Sequence, residues 1–137
     1  GVVETKRGHD LGRVIWEGSA IPNTGVPGNI GGYTGERIIR ANVEGEFKPV
    51  VSIGDIVSTG DLLAYCKDEP VYASIDGVVR GLLQEGVFVK PGMKSGDIDP
   101  RGKREYCFSV SDKANAIGGG VLEAVLSLMN KTGQRLY

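Results

Sequence analysis

Apolar and polar positions in this chain follow the two-residue period of β-strands until close to its end, where they change to helix spacing. Val2 and Val3 open a short apolar run that passes into the polar stretch ETKRGHDLGR. RVIWEGSAI then reads as a half-buried strand, Val14 and Trp16 alternating with Arg13 and Ile15. Residues 22–36, PNTGVPGNIGGYTGE, are turn chemistry throughout. From Glu36 onward short apolar runs are cut by Gly, Asp and Pro: ERIIRANV, GEFKPVVSI and GDIVSTGDLLAYC, then the hairpin turn CKDEP. VYASIDGVVRGLLQEGVFVKPGM follows, and GDIDPRGKREYCFSVS leads away, with CFSVS expected as a last strand. Beyond it Ser111 is a natural N-cap, and apolar residues at 114, 117, 121, 122, 125, 126 and 129 keep helix spacing. A helix is expected over 112–130. Gly118, Gly119 and Gly120 sit inside it, each at a cost of about 1 kcal/mol against Ala. Close packing of the helix on the β core is the expected reason.

The β region repeats itself. Residues 41–60 align without a gap onto residues 73–92, an offset of 32. Ala41/Ala73, Gly45/Gly77, Gly54/Gly86, Val57/Val89 and Gly60/Gly92 are identical, and Val43/Ile75, Glu44/Asp76, Lys48/Arg80, Val50/Leu82 and Val51/Leu83 keep their character. One supersecondary unit is used twice. Two copies are too few for a solenoid, so they are expected to interlock around one core. This pattern resembles the biotinyl/lipoyl domain, the barrel-sandwich hybrid or hammerhead. The fold expected is therefore mainly β, a barrel-sandwich hybrid with flanking strands and one C-terminal helix. Residues 1–36 form an N-terminal segment packed on the core, 37–98 the hybrid itself, and 99–137 an exit loop, strand and helix.

Composition changes this picture little. In 137 residues, 40% apolar content allows a core, and 22 glycines with few aromatics favour turns and strands. A net charge of −1 gives no reason to expect nucleic acid. No stretch reaches the length of a membrane helix, and no signal peptide heads the chain. Cys66 and Cys107 do not make a disulfide scaffold, and reduced thiols in a cytoplasm are the simpler reading. The chain starts at Gly1 without an initiator Met, as a fragment would.

Four segments carry candidate chemistry. Arg7, His9 and Arg13, with Gly8 and Gly12 between them, are suited to an oxyanion; the alternative is pairing with Glu4 and Asp10. His9 is the one histidine, which excludes a histidine-pair metal site within the chain. Asp97 and Asp99 stand at i, i+2 in GDIDPR, either an acid–base pair, half a Mg²⁺ site or a turn closed by Arg101, with Pro100 arguing for the turn. Cys107 is either a thiolate activated by Arg104 and Lys113 or a buried small hydrophobe. Cys66, at a hairpin edge, reads as an exposed thiol. Lys67, at the tip of CKDEP, stands near the attachment position of a biotin or lipoyl carrier, but no methionines flank it.

ETKRGHDLGRVI, AIPNTGVPG, ERIIRA, the hammerhead, GDIDPR, YCFSVSDKA and GGGVLEAVL, in this order, resemble the C-terminal half of the YqeB family, the selenium-dependent molybdenum hydroxylase system proteins. The resemblance implies an accessory role in maturing hydroxylases of the xanthine dehydrogenase type, with a partner or an anionic cofactor precursor bound. It carries over Arg7, Gly8, His9 and Arg13, then Asp97, Asp99, Pro100 and Arg101, then Cys107, Ser111, Asp112 and Lys113. The ligand it implies is of molybdopterin type or contains selenium, with nothing covalently attached and no metal. Its partners would be an N-terminal nucleotide-binding-like domain of the same polypeptide, a molybdenum hydroxylase, and as an open alternative a second copy; nucleic acid and membrane are not among them. Whether the chain is catalytic stays open. The alternatives to an accessory role are a sulfur or selenium transferase using Cys107, a carrier domain, and a structural hammerhead.

Overall fold

A computed structural model describes residues 1–133 and divides the chain into two compact units, residues 26–109 and residues 1–25 with those from 110 onward. The fold is mainly β, with antiparallel sheets and one C-terminal helix.

The larger unit holds strands β3 (Ile38–Arg40), β4 (Gly45–Pro49), β5 (Ile56–Val57), β6 (Leu62–Cys66), β7 (Glu69–Tyr72), β8 (Gly77–Leu82), β9 (Phe88–Val89) and β10 (Lys94–Asp99). They form two open four-stranded sheets, ordered β3-β10-β8-β5 and β7-β6-β4-β9. The repeat accounts for this order. Each copy gives its second strand to the other copy's first: Gly45 pairs with Val89, and Val57 with Gly77. The hydrogen bonds obey the same exchange. Gly54 N–H donates to Val79 O at 2.8 Å and Gly86 N–H to Phe47 O at 3.0 Å, while Gly60 to Ala73 and Gly92 to Ala41 are both 2.8 Å. The interlocked pair expected from the sequence is present.

Between the sheets lies one core, with Phe47, Leu63, Val79 and Val89 fully buried. The equivalence extends past the similar sequence: Ile39/Val71, Leu63/Ser95 and Cys66/Ile98 are buried in both copies. Gly45 and Gly77 are both at φ near +155°. A Cβ on Gly77 would meet the Asp99 carbonyl and Ile98 Cγ2, and one on Gly45 would meet Lys67 Cβ at 2.8 Å. Only glycine fits at these crossings.

Three local expectations are corrected here. Cys66 is not an exposed edge thiol but fully buried, because it is the inward residue at the end of β6. GDIDPR is not a turn from its start, since Asp97 and Asp99 belong to β10 and the turn begins at Pro100. Pro100, lacking an N–H, ends the ladder rather than preventing it. CFSVS is not a strand: Arg104–Cys107 is a 3-10 helix, and Phe108 to Val110 follow without regular structure.

The smaller unit pairs β1 (Val2–Val3) with β2 (Val14–Ile15) and carries α1 (Asp112–Thr132). The Ser111 side chain accepts the Ala114 N–H at 3.2 Å, and Gly133 closes the helix at φ 69°. The β1–β2 strands are shorter than RVIWEGSAI suggested. The close neighbour of α1 at Gly120 is the N-terminal segment: a Cβ there would strike the Gly12 carbonyl and come within 3.0 Å of Val3 Cγ1.

Candidate functional site

The residues singled out by sequence fall into two groups, one in each unit. In the smaller unit the loop 4–13 is folded back on itself by backbone bonds, Glu4 N–H to Arg13 O and Gly12 N–H to Glu4 O, both 2.9 Å. Gly12 adopts φ 85°, and a Cβ on it would overlap the Ala116 carbonyl. That close approach brings the loop to α1. Arg7 forks onto Asp112 through two bonds of 2.5 and 3.0 Å, tying the loop to the first turn of the helix. Arg13 meets Asp10 at 2.8 Å. His9 is exposed, Gly8 has open space around it, and Lys113 is half-buried.

The hub of this loop is a residue the sequence reading mentioned only as a counter-charge. Glu4 is 3% exposed. Its carboxylate accepts the amides of Ile21 and Thr5 at 2.9 Å and of Lys6 at 2.8 Å. These donors, the Ile21 amide foremost, hold its carboxyl below the usual glutamate range. Three amides converge on it, one of them 17 positions along the chain, and no spacing rule shows that in advance.

In the larger unit Asp99 is fully buried at the end of β10. Arg101 wraps back onto it, Nη2 at 2.6 Å and Nε at 2.9 Å, and Arg80 of β8 adds a bond of 3.2 Å. The Arg101 hydrogen bonds in particular draw its carboxyl below the usual aspartate range against the opposing effect of burial. The Arg101 guanidinium and the Lys103 ammonium both lie over the Tyr106 ring, 4.7 and 5.3 Å from its centroid. Asp97 turns to a different arginine, Arg37, at 3.2 Å, and Arg37 also donates to the Gly28 carbonyl at 3.0 Å. The two aspartates thus do not share a proton or a cation. Cys107 is half-buried, its thiol donating to the Val79 carbonyl at 3.6 Å.

Arg37, Arg80 and Tyr106 were not anticipated. Arg80 had a signal, being the repeat equivalent of Lys48 on a strand; Arg37 and Tyr106 had none. The offset of 32 also equates the hairpin-tip Lys67 with buried Asp99. Lys67 occupies a two-residue turn between Cys66 and Glu69, with φ 57°. A groove of about 250 Å³ runs beside the edge strands β3 and β7, with Glu36, Arg40, Val71, Tyr72 and Ser74 on its walls. Among the described residues no three His, Cys, Asp or Glu side chains are grouped as metal ligands. Among the same residues no helix is long and apolar enough to cross a membrane.

No family model matches the chain. It is 53% identical over 130 residues to the uncharacterized protein YqeB of Escherichia coli (strain K12). The match takes in 95% of this chain and 24% of that protein, so the shared region is about a quarter of the relative rather than the half expected from the motifs.

Proposed function

We propose, from the 53% identity of this chain to a quarter of YqeB from Escherichia coli, that it is an accessory binding module in the maturation of selenium-dependent molybdenum hydroxylases. In this reading it holds a partner or an anionic cofactor precursor and does not turn it over. The two sheets, with strands exchanged between repeat copies, support a barrel-sandwich hybrid as the scaffold. The ligand is a molybdopterin-type phosphate or a selenium-containing anion, and the partners are the hydroxylase and a nucleotide-binding-like portion of a longer polypeptide, in the cytoplasm.

The observation that carries the binding reading is the condition of the charged side chains. Arg7, Arg13, Asp97, Asp99 and Arg101 each meet an opposite charge within the chain. A general acid or base needs a proton or lone pair aimed at substrate; carboxylates held in ion pairs fix the local structure instead. Arg7 and Arg13 keep 44% and 59% of their side-chain surface exposed. They are therefore placed to exchange a carboxylate for an incoming oxyanion.

The test is genetic and chemical. In a bacterium with a selenium-dependent molybdenum hydroxylase, replacing Arg7 and Arg13 together by Ala in the YqeB-family protein should lower hydroxylase activity about tenfold or more, the scale of losing charge-assisted bonds. The hydroxylase polypeptide itself should persist. Full activity with the gene deleted overturns the proposal. Cys107→Ser should keep maturation intact, because the binding reading gives the thiol no part in it.

A further inference from the structure

The helix α1 turns its most apolar face away from the strands it packs on. At 100° per residue, Val121, Leu122, Val125, Leu126 and Leu128 fall within one broad arc. Each is exposed, from 43% at Leu126 to 57% at Leu122. The side that meets the N-terminal segment is instead made of small residues, with Gly120 against Gly12 and Val3. Among the described residues of this unit the buried ones are Glu4 and Gly120 alone, so none of its apolar side chains is buried. Helices in proteins draw most of their stability from packing an apolar face. A two-stranded ribbon with one such helix does not supply that by itself.

Gly118 lies in the middle of the exposed arc, with open space where a Cβ would stand. Gly120 has its reason in the Gly12 contact; Gly118 has none in this chain. A glycine there lets another backbone approach the helix closely.

The length of the relative says what is available to cover this face. The shared region is 24% of YqeB from Escherichia coli, so the larger part of that polypeptide lies outside it. A surface on the same polypeptide competes at an effective concentration of about millimolar, well above that of a second copy in solution. We infer that the face formed by Val121, Leu122, Val125, Leu126 and Leu128 is the docking surface for an apolar patch in the remainder of a YqeB-length protein. This rests on the relationship to YqeB and is independent of the hydroxylase reading.

The experiment compares the full-length Escherichia coli relative with the 137-residue chain. A cysteine is placed at Val125 (Val125→Cys, and the aligned position of the relative), and its maleimide labelling rate is followed by peptide mass over a series of protein concentrations. Labelling should be at least about tenfold slower in the full-length protein, at every concentration, as for a site exposed only by local opening. Hydrogen exchange of segment 121–128 in the unsubstituted proteins should slow in parallel, which guards against a variant that misfolds. Fast labelling and exchange in the full-length protein overturn the inference. So does protection that rises with concentration in either protein, which would assign the face to a second copy.

Discussion

Two carboxylates, Glu4 and Asp99, show how much a single side chain organises here. Asp99 is fully buried and neutralised by Arg101 and Arg80. Asp99→Asn removes the charge and leaves two arginines facing each other. Unfolding in urea should report a loss of about 3 kcal/mol, the lower end for a broken buried pair because both arginines reach solvent. Glu4 acts on backbone amides instead. Its carboxyl is held low in the folded chain, so the charged form is the one folding favours. Its contribution is complete above the unfolded value of 4.5 and drains away as pH falls through the lower folded value. Protection of the Thr5, Lys6 and Ile21 amides relative to their intrinsic exchange rates should therefore be lost together as pH falls below 4.5 and through the lower folded value, and Glu4→Gln should produce the same loss of protection at neutral pH. The role of Glu4 was not visible in the sequence, where it stood as a counter-charge. The Asp99–Arg101 pair was legible, because its members stand two positions apart, within a single turn. Arg80 lies 19 positions away, and only strand pairing brings it in.

At the scale of elements, the helix and the glycines within it separate what propensity says from what packing demands. Ser111 and the helix spacing located α1 to within its last turn, since a cap and a period are local properties. The three glycines were equally legible and equally unfavourable by propensity, yet they are not equivalent. Gly119→Ala meets open space and should stabilise the helix by about 0.5–1 kcal/mol. Gly120→Ala drives a methyl into the Gly12 carbonyl and should destabilise by about 1–3 kcal/mol. Thermal unfolding of the two variants, followed by helix circular dichroism, should shift in opposite directions. CFSVS shows the reverse case. It alternates as a strand would, yet Arg104–Cys107 closes into a 3-10 helix and pairs with no strand among the described residues.

For the molecule as a whole, the larger unit has its own core, and the smaller one has none among its described residues. The segment 26–109 on its own should unfold cooperatively, with coincident transitions by fluorescence and circular dichroism. A gradual, non-cooperative melt would mean that its core depends on residues outside it. The sequence by itself determined the repeat, the mainly β character, the helix and its cap, and the relationship to YqeB, because these depend on composition, short-range period and linear order. Tertiary structure alone decided which strands exchange, that Cys66 is buried, which arginine each aspartate meets, and which face of α1 is left uncovered. Those depend on contacts between positions far apart in the chain, and their cost or gain appears only once the backbone has brought them together.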